Sequence, residues 1–211
     1  HWGDCAVGGK LLRPFLKATI LKSIGKEEKM THCYECGTRL IPKELEGEGI
    51  VPYCPKCGAY RFAIFSAAMS TTLLSPDRKK ALLIQQYGRA RNVLVAGYIS
   101  KGENAEHAVV REIQEEMGMR VTQMAFVKST YFEPSNTLML HYLTVVDSED
   151  LSGRTPEVDK AQWFSLEEAK REVVTPSLAQ RFLWEALGRL ERREIVLLPV
   201  NTDNLWPVEN P

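Results

Sequence analysis

The segment from residue 97 to residue 119, GYISKGENAEHAVVREIQEEMGM, constrains the fold more strongly than any other part of the chain. Its glutamates Glu112, Glu115 and Glu116 stand at i, i+3 and i+4, so a helix would project all three carboxylates from one face. We predict a helix that begins near Asn104, a suitable N-cap, and ends at Gly118. Its opposite face is apolar at helical spacing, through Ala108, Val109, Ile113 and Met117.

Clustered carboxylates on one helix face have two interpretations. Like charges at this spacing repel and weaken the helix, so a merely soluble face would more often interleave lysines. Hard cations such as Mg²⁺ and Mn²⁺ prefer such oxygen ligands, and this favours a metal site. A solvated acidic helix is the alternative, and the three glutamates alone leave it open.

Composition excludes several classes of protein. The 211 residues carry no formal net charge, are 44% hydrophobic and 26% charged, and have a pI near 7. A chain of this length holds one ordinary domain and a small appendage. The absence of a basic footprint argues against a nucleic-acid partner. No run of about 18 apolar residues occurs, so no membrane partner is expected.

Four of the five cysteines form two pairs, Cys33-x2-Cys36 and Cys54-x2-Cys57, and a glycine follows the second cysteine of each pair. Two such knuckles can present four sulfurs tetrahedrally, which predicts a structural Zn²⁺ site. Two disulfides fit poorly because nothing marks the chain as secreted, and a redox CxxC is a minor alternative. Reduced thiolates and the lack of a recognisable export signal predict a cytoplasmic protein.

The remaining pattern alternates strands and helices. Strands are predicted over 61–74, 81–86, 93–96, 124–131, 138–146 and 161–164. Two further helices are predicted, one from a capping box at Ser165 and Glu168, the other over 176–192. The order favours an α/β class fold, with a mixed sheet between helical layers in an α/β/α sandwich. The domain boundaries would be an N-terminal segment at 1–29, helical or extended and of unknown role, a zinc ribbon at 30–60, the main domain at 61–192 and a tail at 193–211.

The segment that opens at Gly97 resembles the Nudix box at every defined position. Five residues separate Gly97 from Glu103, seven follow, and then come Arg111-Glu112-Ile113, Glu115-Glu116 and Gly118-Met119. The resemblance implies a Nudix hydrolase, which cleaves nucleoside diphosphates linked to another moiety, and a Nudix α/β/α sandwich.

Residue roles follow from this resemblance. Glu112, Glu115 and Glu116 would hold catalytic Mg²⁺ or Mn²⁺, and Glu115 or Glu116 would assist proton removal from the attacking water. Arg111 would hold Glu103 through a bidentate pair. The carbonyl group of Gly97 would join the metal shell.

A four-cysteine ribbon before such a domain resembles the NADH pyrophosphatase branch of the family. By this resemblance Glu157, six residues before Trp163, would lie at the metal site, although an exposed loop acid is equally compatible with its position. The segment containing Ala179 would lie close to the substrate.

The chain departs from that branch downstream of the box. The branch carries a Ser-Gln-Pro-Trp-Pro-Phe-Pro-x-Ser signature, whereas this chain has the shorter Ser-Thr-Tyr-Phe-Glu-Pro-Ser at 129–135. Tyr131, Phe132 and Ser135 are the candidate substrate contacts there, and Phe62 is a further aromatic candidate for stacking on a base.

The favoured function is metal-dependent hydrolysis of NAD(H) to NMN(H) and AMP. ADP-ribose, FAD, a sugar nucleotide and a capped RNA end are alternative substrates. A non-catalytic zinc-ribbon adaptor that binds a nucleotide is a second alternative. The resemblance also implies a homodimer.

Overall fold

The computed structural model describes residues 30–201. The chain divides into two compact units, the first ending at Ile64 and the second beginning at Phe65. The predicted N-terminal segment at 1–29 and the last ten residues of the tail lie outside the described residues. Across residues 30–201, no helix has both the length and the apolar character needed to cross a membrane.

The first unit is a small antiparallel sheet built around the cysteine pairs. Its strands are β1 (Ile41–Leu45), β2 (Gly49–Cys54) and β3 (Ala59–Tyr60), in the order β1-β2-β3. Each cysteine pair closes a tight turn, since the amide of Gly37 donates to the carbonyl of Cys33 and the amide of Gly58 to that of Cys54.

The second unit is organised by a seven-stranded mixed sheet. Its strands are β4 (Ser66–Leu74), β5 (Lys80–Gln86), β6 (Val95–Tyr98), β7 (Val121–Phe132), β8 (Thr137–Val146), β9 (Val158–Ser165) and β10 (Leu198–Pro199). They lie in the order β10-β7-β8-β4-β5-β9, with β6 paired to β4. The pairing of β4 with β8 is parallel and the other pairings are antiparallel.

Helices cover both faces of this sheet. Helix α1 (Ala105–Met117) packs on one face, where Ile113 and Met117 meet Met69 and Tyr142. Helices α2 (Leu166–Glu172) and α3 (Leu178–Glu191) belong to the second hydrophobic cluster, which includes Leu74, Leu83 and Leu143. Because strand side chains alternate between faces, the longer strands β4, β5, β7, β8 and β9 contribute residues to both clusters. The predicted α/β/α sandwich with a mixed sheet is confirmed.

Most predicted elements appear with shifted ends. The strand predicted over 61–74 begins at Ser66, and residues 61–65 form no regular structure. The capping box of Ser165 and Glu168 at α2 is confirmed. Asn104 is the N-cap of α1, but its side chain makes no capping hydrogen bond. Gly118 ends α1 in the left-handed conformation, with φ of 68°.

Candidate active site

Arg111 organises the carboxylates of α1. Its guanidinium donates to both oxygens of Glu103, from Nε at 2.7 Å and from Nη2 at 3.0 Å. Nη1 donates to Glu112 at 2.8 Å and to Glu115 at 3.0 Å, while Nη2 also reaches the carbonyl of Tyr98. The hydrogen bond from Arg111 lowers the pKa of Glu103. One cation therefore offsets part of the repulsion among the neighbouring carboxylates.

Gly97 brings β6 against the carboxyl group of Glu112. A Cβ atom built on Gly97 would overlap that carboxyl group, so no larger residue fits without displacing it. The pairing of Gly97 with Met69 in β4 fixes the position of the strand. The backbone of Gly97 and the side chain of Glu112 consequently share one small space.

Glu116 is the least exposed carboxylate of the helix, with 6% of its surface accessible. Its Oε1 accepts a hydrogen bond of 2.9 Å from Nε2 of Gln86. Its Oε2 is buried and has no hydrogen-bond partner among the described residues. Burial raises the pKa of Glu116 to about 7, and the nearby charges of Glu112, Glu157 and Glu115 act in the same direction. A buried carboxylate oxygen without a hydrogen-bond partner is well suited to coordinate a cation.

Glu157 lies on the loop between β8 and β9, which meets the C-terminal end of α1. The amide of Thr155 donates to the carbonyl of Glu116 at 3.0 Å, and this bond ties the loop to the helix. Gly118 and Gly153 are also packed closely, since a Cβ on Gly118 would lie 2.9 Å from the carbonyl oxygen of Gly153. Glu157 is exposed and close enough for its charge to influence Glu116.

These residues fit a divalent cation in their chemistry. The donor set consists of carboxylates and a backbone carbonyl, which Mg²⁺ and Mn²⁺ prefer. Oε2 of Glu116 supplies a ligand atom that has no hydrogen-bond partner within residues 30–201. In this conformation Arg111 forms ion pairs with Glu112 and Glu115. Their roles as ligands, together with those of Gly97 and Glu157, stay predictions.

The four cysteines of the first unit form the second candidate metal site. Cys33, Cys36, Cys54 and Cys57 are all free thiols, and their sulfurs lie within 4.8 Å of one another. The Cys33–Cys57 sulfurs are 4.0 Å apart and the Cys36–Cys54 sulfurs 3.5 Å apart. Metal–sulfur bonds of about 2.3 Å in a tetrahedron would separate the sulfurs by about 3.8 Å. The cluster therefore fits Zn²⁺ and is not arranged as two disulfides.

Arg61 lies beside this cluster and is almost completely buried. Its Nε donates to the sulfur of Cys33 at 3.2 Å, Nη2 pairs with Glu35, and the guanidinium lies 4.9 Å from the ring centre of Tyr34. Burial opposes ionisation of Cys33, but the hydrogen bonds from Arg61 and from backbone amides prevail and lower its pKa to about 6. Arg61 thus stabilises the thiolate that a metal requires.

The predicted substrate residues do not form one cluster. Register and alternation place Tyr131 on the α1 face of the sheet, because it pairs with Leu138, two residues before Leu140 of the α1-side cluster. Phe132 follows it and faces the opposite side. Ala179 packs into the α2–α3 cluster, also on that side. Phe62 is exposed and belongs to the first unit.

Local contacts fix the end of β7. The hydroxyl of Tyr131 donates to Oδ1 of Asn136 at 2.7 Å, and its ring meets Phe65 edge to face. Ser135 lies in a single 3-10 turn over Glu133–Ser135, and its hydroxyl is 2.9 Å from that of Thr137. The substrate roles of these residues stay predictions.

Two residues near the site were missed by the sequence reasoning. Gln86 donates a hydrogen bond to Glu116. The alternation of Leu82, Ile84 and Gln86 along β5 could have predicted this position, because it places a polar side chain at the end of an apolar row that faces α1. Tyr98 directly follows Gly97 and is 62% exposed. The sequence did not predict this exposure, because an aromatic residue in a short apolar strand is typical of a buried position.

Comparison with known proteins agrees with this geometry. Residues 66–185 match the NUDIX domain family. Among curated proteins, the NAD-capped RNA hydrolase NudC of Pseudomonas aeruginosa is 29% identical over 135 residues, which are 64% of this chain and 48% of that protein. NudC of Deinococcus radiodurans is 30% identical over 164 residues, 75% of this chain and 57% of that protein. The chain thus spans roughly half the length of these relatives.

Solved structures show the same fold. A NUDIX hydrolase from Nitrosomonas europaea has a TM-score of 0.56 at 18% identity, covering 78% of this chain and 93% of that chain. The NUDIX domain of Shewanella oneidensis NrtR, solved with ADP ribose, has a TM-score of 0.52 at 17% identity, covering 65% and 94%. Since the family match extends over more than half of the sequence and the box residues meet around Arg111, this chain belongs to the NUDIX family.

Proposed function

We propose that this protein is a divalent-metal-dependent pyrophosphohydrolase that cleaves the diphosphate bond of a nucleoside diphosphate derivative. The favoured reaction is hydrolysis of NAD(H) to NMN(H) and AMP. Water adds to one phosphorus, the bond from that phosphorus to the bridging oxygen breaks, and two monophosphates leave.

The observation that carries this proposal is the buried carboxylate of Glu116. A buried carboxylate with an unpartnered oxygen is costly unless it binds a cation or a proton. Glu112 lies on the same helix face beside Gly97, and Arg111 fixes the local arrangement. A protein that needed only an acidic surface would have no reason to bury one of these groups.

Each residue has a defined task in such a reaction. A bound Mg²⁺ or Mn²⁺ neutralises phosphoryl oxygens and lowers the pKa of a bound water. Glu112, Glu115 and Glu116 would hold the cation, with the Gly97 carbonyl and Glu157 as further ligands. A carboxylate of this group, Glu115 or Glu116, would accept the proton of the attacking water. Arg111 and Glu103 would keep β6 and α1 together.

The sheet offers aromatic rings on both of its faces for a nucleobase. Tyr131 lies on the α1 face, and two strands, β8 and β4, separate its strand from β6, which carries Gly97. Strand spacings of about 4.8 Å put β7 roughly 14 Å from β6. An extended dinucleotide can reach across that distance. Tyr98 and Phe132 offer rings on the opposite face, where Ala179 lies.

A capped RNA end is the second candidate substrate. The curated relatives described above are named NAD-capped RNA hydrolases, and an NAD cap contains the same diphosphate as free NAD. The chemistry at Glu116 would be identical for both. The two substrates differ in whether a nucleotide chain must extend out of the site.

The test is a substrate panel with product identification. We would incubate the purified protein with Mg²⁺ or Mn²⁺ and NADH, NAD⁺, ADP-ribose, FAD, a sugar nucleotide and an NAD-capped RNA, and identify products by mass spectrometry. The double variant Glu115→Gln/Glu116→Gln serves as the inactive control. Preferred formation of NMNH and AMP supports the proposal, and preference for the capped RNA supports the second candidate.

Two results would oppose the proposal. Undiminished turnover by the double variant would contradict the metal site, and absence of turnover with every substrate would favour a nucleotide-binding adaptor. Single changes Tyr131→Ala, Tyr98→Ala and Phe132→Ala identify the base-stacking face, because loss of stacking should raise KM with the metal dependence unchanged.

A further inference from the structure

Gln86 is the only described side chain that donates a hydrogen bond to Glu116. It ends β5, and its Nε2 lies 2.9 Å from Oε1 of Glu116. The other oxygen of the same carboxylate is buried and has no partner among the described residues. The two oxygens of Glu116 are therefore unequal, and Gln86 creates that difference.

The backbone places Gln86 where it can do this. Pairing between β5 and β9 is regular from Lys80 to Gln85 and shifts at Gln86, which pairs with Val158. On the α1 face Gln86 continues the row of Leu82 and Ile84, both of which pack in the apolar core. A polar residue in this row needs a polar partner, and Glu116 is that partner.

We propose that Gln86 is a positioning residue that fixes the rotamer of Glu116 and presents Oε2 of Glu116 to the divalent cation. A hydrogen bond to one oxygen restricts the rotation of the carboxyl group, so the other oxygen keeps a defined direction. Partners of metal ligands that act in this way commonly change metal affinity by about 10–100-fold when they are removed. The inference rests on the proposed function, because it takes Glu116 to be a metal ligand.

The neighbouring glutamine provides a matched control. Gln85 lies on the same strand, is also half-buried, and donates from Nε2 to Oδ1 of Asn92 at 2.8 Å. Like Leu83 of the α2–α3 cluster, it faces the other side of the sheet, and no hydrogen bond joins it to Glu116. Gln85→Met and Gln86→Met therefore remove the same kind of hydrogen bond from adjacent positions.

The experiment measures Mn²⁺ binding, which needs no substrate. Free Mn²⁺ is followed by electron paramagnetic resonance for wild type, Gln85→Met and Gln86→Met, and Glu116→Gln defines binding that does not involve Glu116. We expect Gln86→Met to raise the Mn²⁺ dissociation constant about tenfold. Gln85→Met should stay within about twofold of wild type, because second-sphere effects of this size act through direct partners of a ligand.

Steady-state kinetics give the second readout. At saturating Mn²⁺, loss of positioning should lower kcat with KM for the nucleotide nearly unchanged, whereas a purely structural defect would lower the thermal midpoint without changing Mn²⁺ affinity. Should Gln86→Met fail to fold, Gln86→Asn shortens the same amide beyond reach of Glu116 and is expected to weaken Mn²⁺ binding similarly.

Equal Mn²⁺ affinity in wild type and Gln86→Met, or equal weakening in both glutamine variants, would overturn the inference. Normal Mn²⁺ binding by wild type without turnover of any substrate would refute the proposed function and leave the role of Gln86 intact.

Discussion

Replacing Glu116 by glutamine should remove a pH-dependent destabilisation of the metal-free protein. Burial raises the pKa of Glu116 in the folded protein to about 7 from an ordinary value of 4.5. Each tenfold change in proton affinity is worth about 1.4 kcal/mol, so the full effect is about 3 kcal/mol. Between pH 4.5 and pH 7 the folded state keeps a proton that the unfolded chain has released. The contribution of this group to stability is therefore complete below pH 4.5 and is lost as the pH rises through 7.

Glutamine resembles the protonated acid in shape and carries no charge at any pH. The free energy of unfolding of Glu116→Gln, minus that of wild type, should accordingly grow by up to about 3 kcal/mol from pH 5 to pH 8. A new buried amide group can add a constant penalty of about 1–3 kcal/mol, and this constant does not change the slope with pH.

Urea unfolding measures this difference. The protein is dialysed against buffer without Mg²⁺ or Mn²⁺ and without chelator, because a chelator would also strip a metal from the cysteine cluster. Far-ultraviolet circular dichroism follows the loss of α1, α2 and α3, which all lie in the second unit. A difference between the two proteins that stays constant from pH 5 to pH 8 would refute the reasoning. Saturation with Mn²⁺ at pH 8 should shift the difference towards wild type, since a ligand at 100 times its dissociation constant stabilises the protein that binds it by about 2.7 kcal/mol.

Three further substitutions test other contacts. Gly97→Ala places a methyl group against the carboxyl group of Glu112. It should reduce kcat/KM for the best substrate of the panel at least about tenfold, while its circular dichroism spectrum stays like that of wild type. Arg61→Met removes the hydrogen-bond donor to Cys33 and should speed metal release from the cysteine cluster about 10-fold or more. A chromogenic zinc chelator measures the release rate, and a rate equal to that of wild type would contradict the role of Arg61. Gly118→Ala should lower the free energy of unfolding by at least about 1–2 kcal/mol in urea, because alanine is strained at a φ of 68° and its methyl group meets a neighbouring carbonyl.

The sequence predicted the helix of the site well because its constraints are local. The apolar spacing of Ile113 and Met117 and the glycine at 118 determine where α1 packs and ends, and both features depend on residues close in the chain. The bidentate pair of Arg111 with Glu103 was also foreseen from the resemblance to the Nudix box. Each of these contacts spans eight residues or fewer.

Long-range features were harder to foresee. The difference between the oxygens of Glu116 depends on Gln86, 30 residues earlier, and on a shift of register between two strands. The face on which Tyr131 lies depends on pairing across β7 and β8, where an irregularity between Phe126 and Lys128 changes the register. A one-residue shift moves every later side chain to the other face, so composition around 129–135 could not determine this.

The charges around α1 explain why a proton and a metal would compete for one carboxylate. Four glutamates, Glu103, Glu112, Glu115 and Glu116, surround the single guanidinium of Arg111, and Arg111 contacts all of them except Glu116. The carboxylate that Arg111 does not reach is the one whose pKa is raised by burial and by its acidic neighbours. A divalent cation at Glu116 would replace the proton and also offset the charge left over on Glu112 and Glu115. Metal affinity should therefore fall as the pH drops below about 7, since a protonated carboxyl group must lose its proton before it can coordinate.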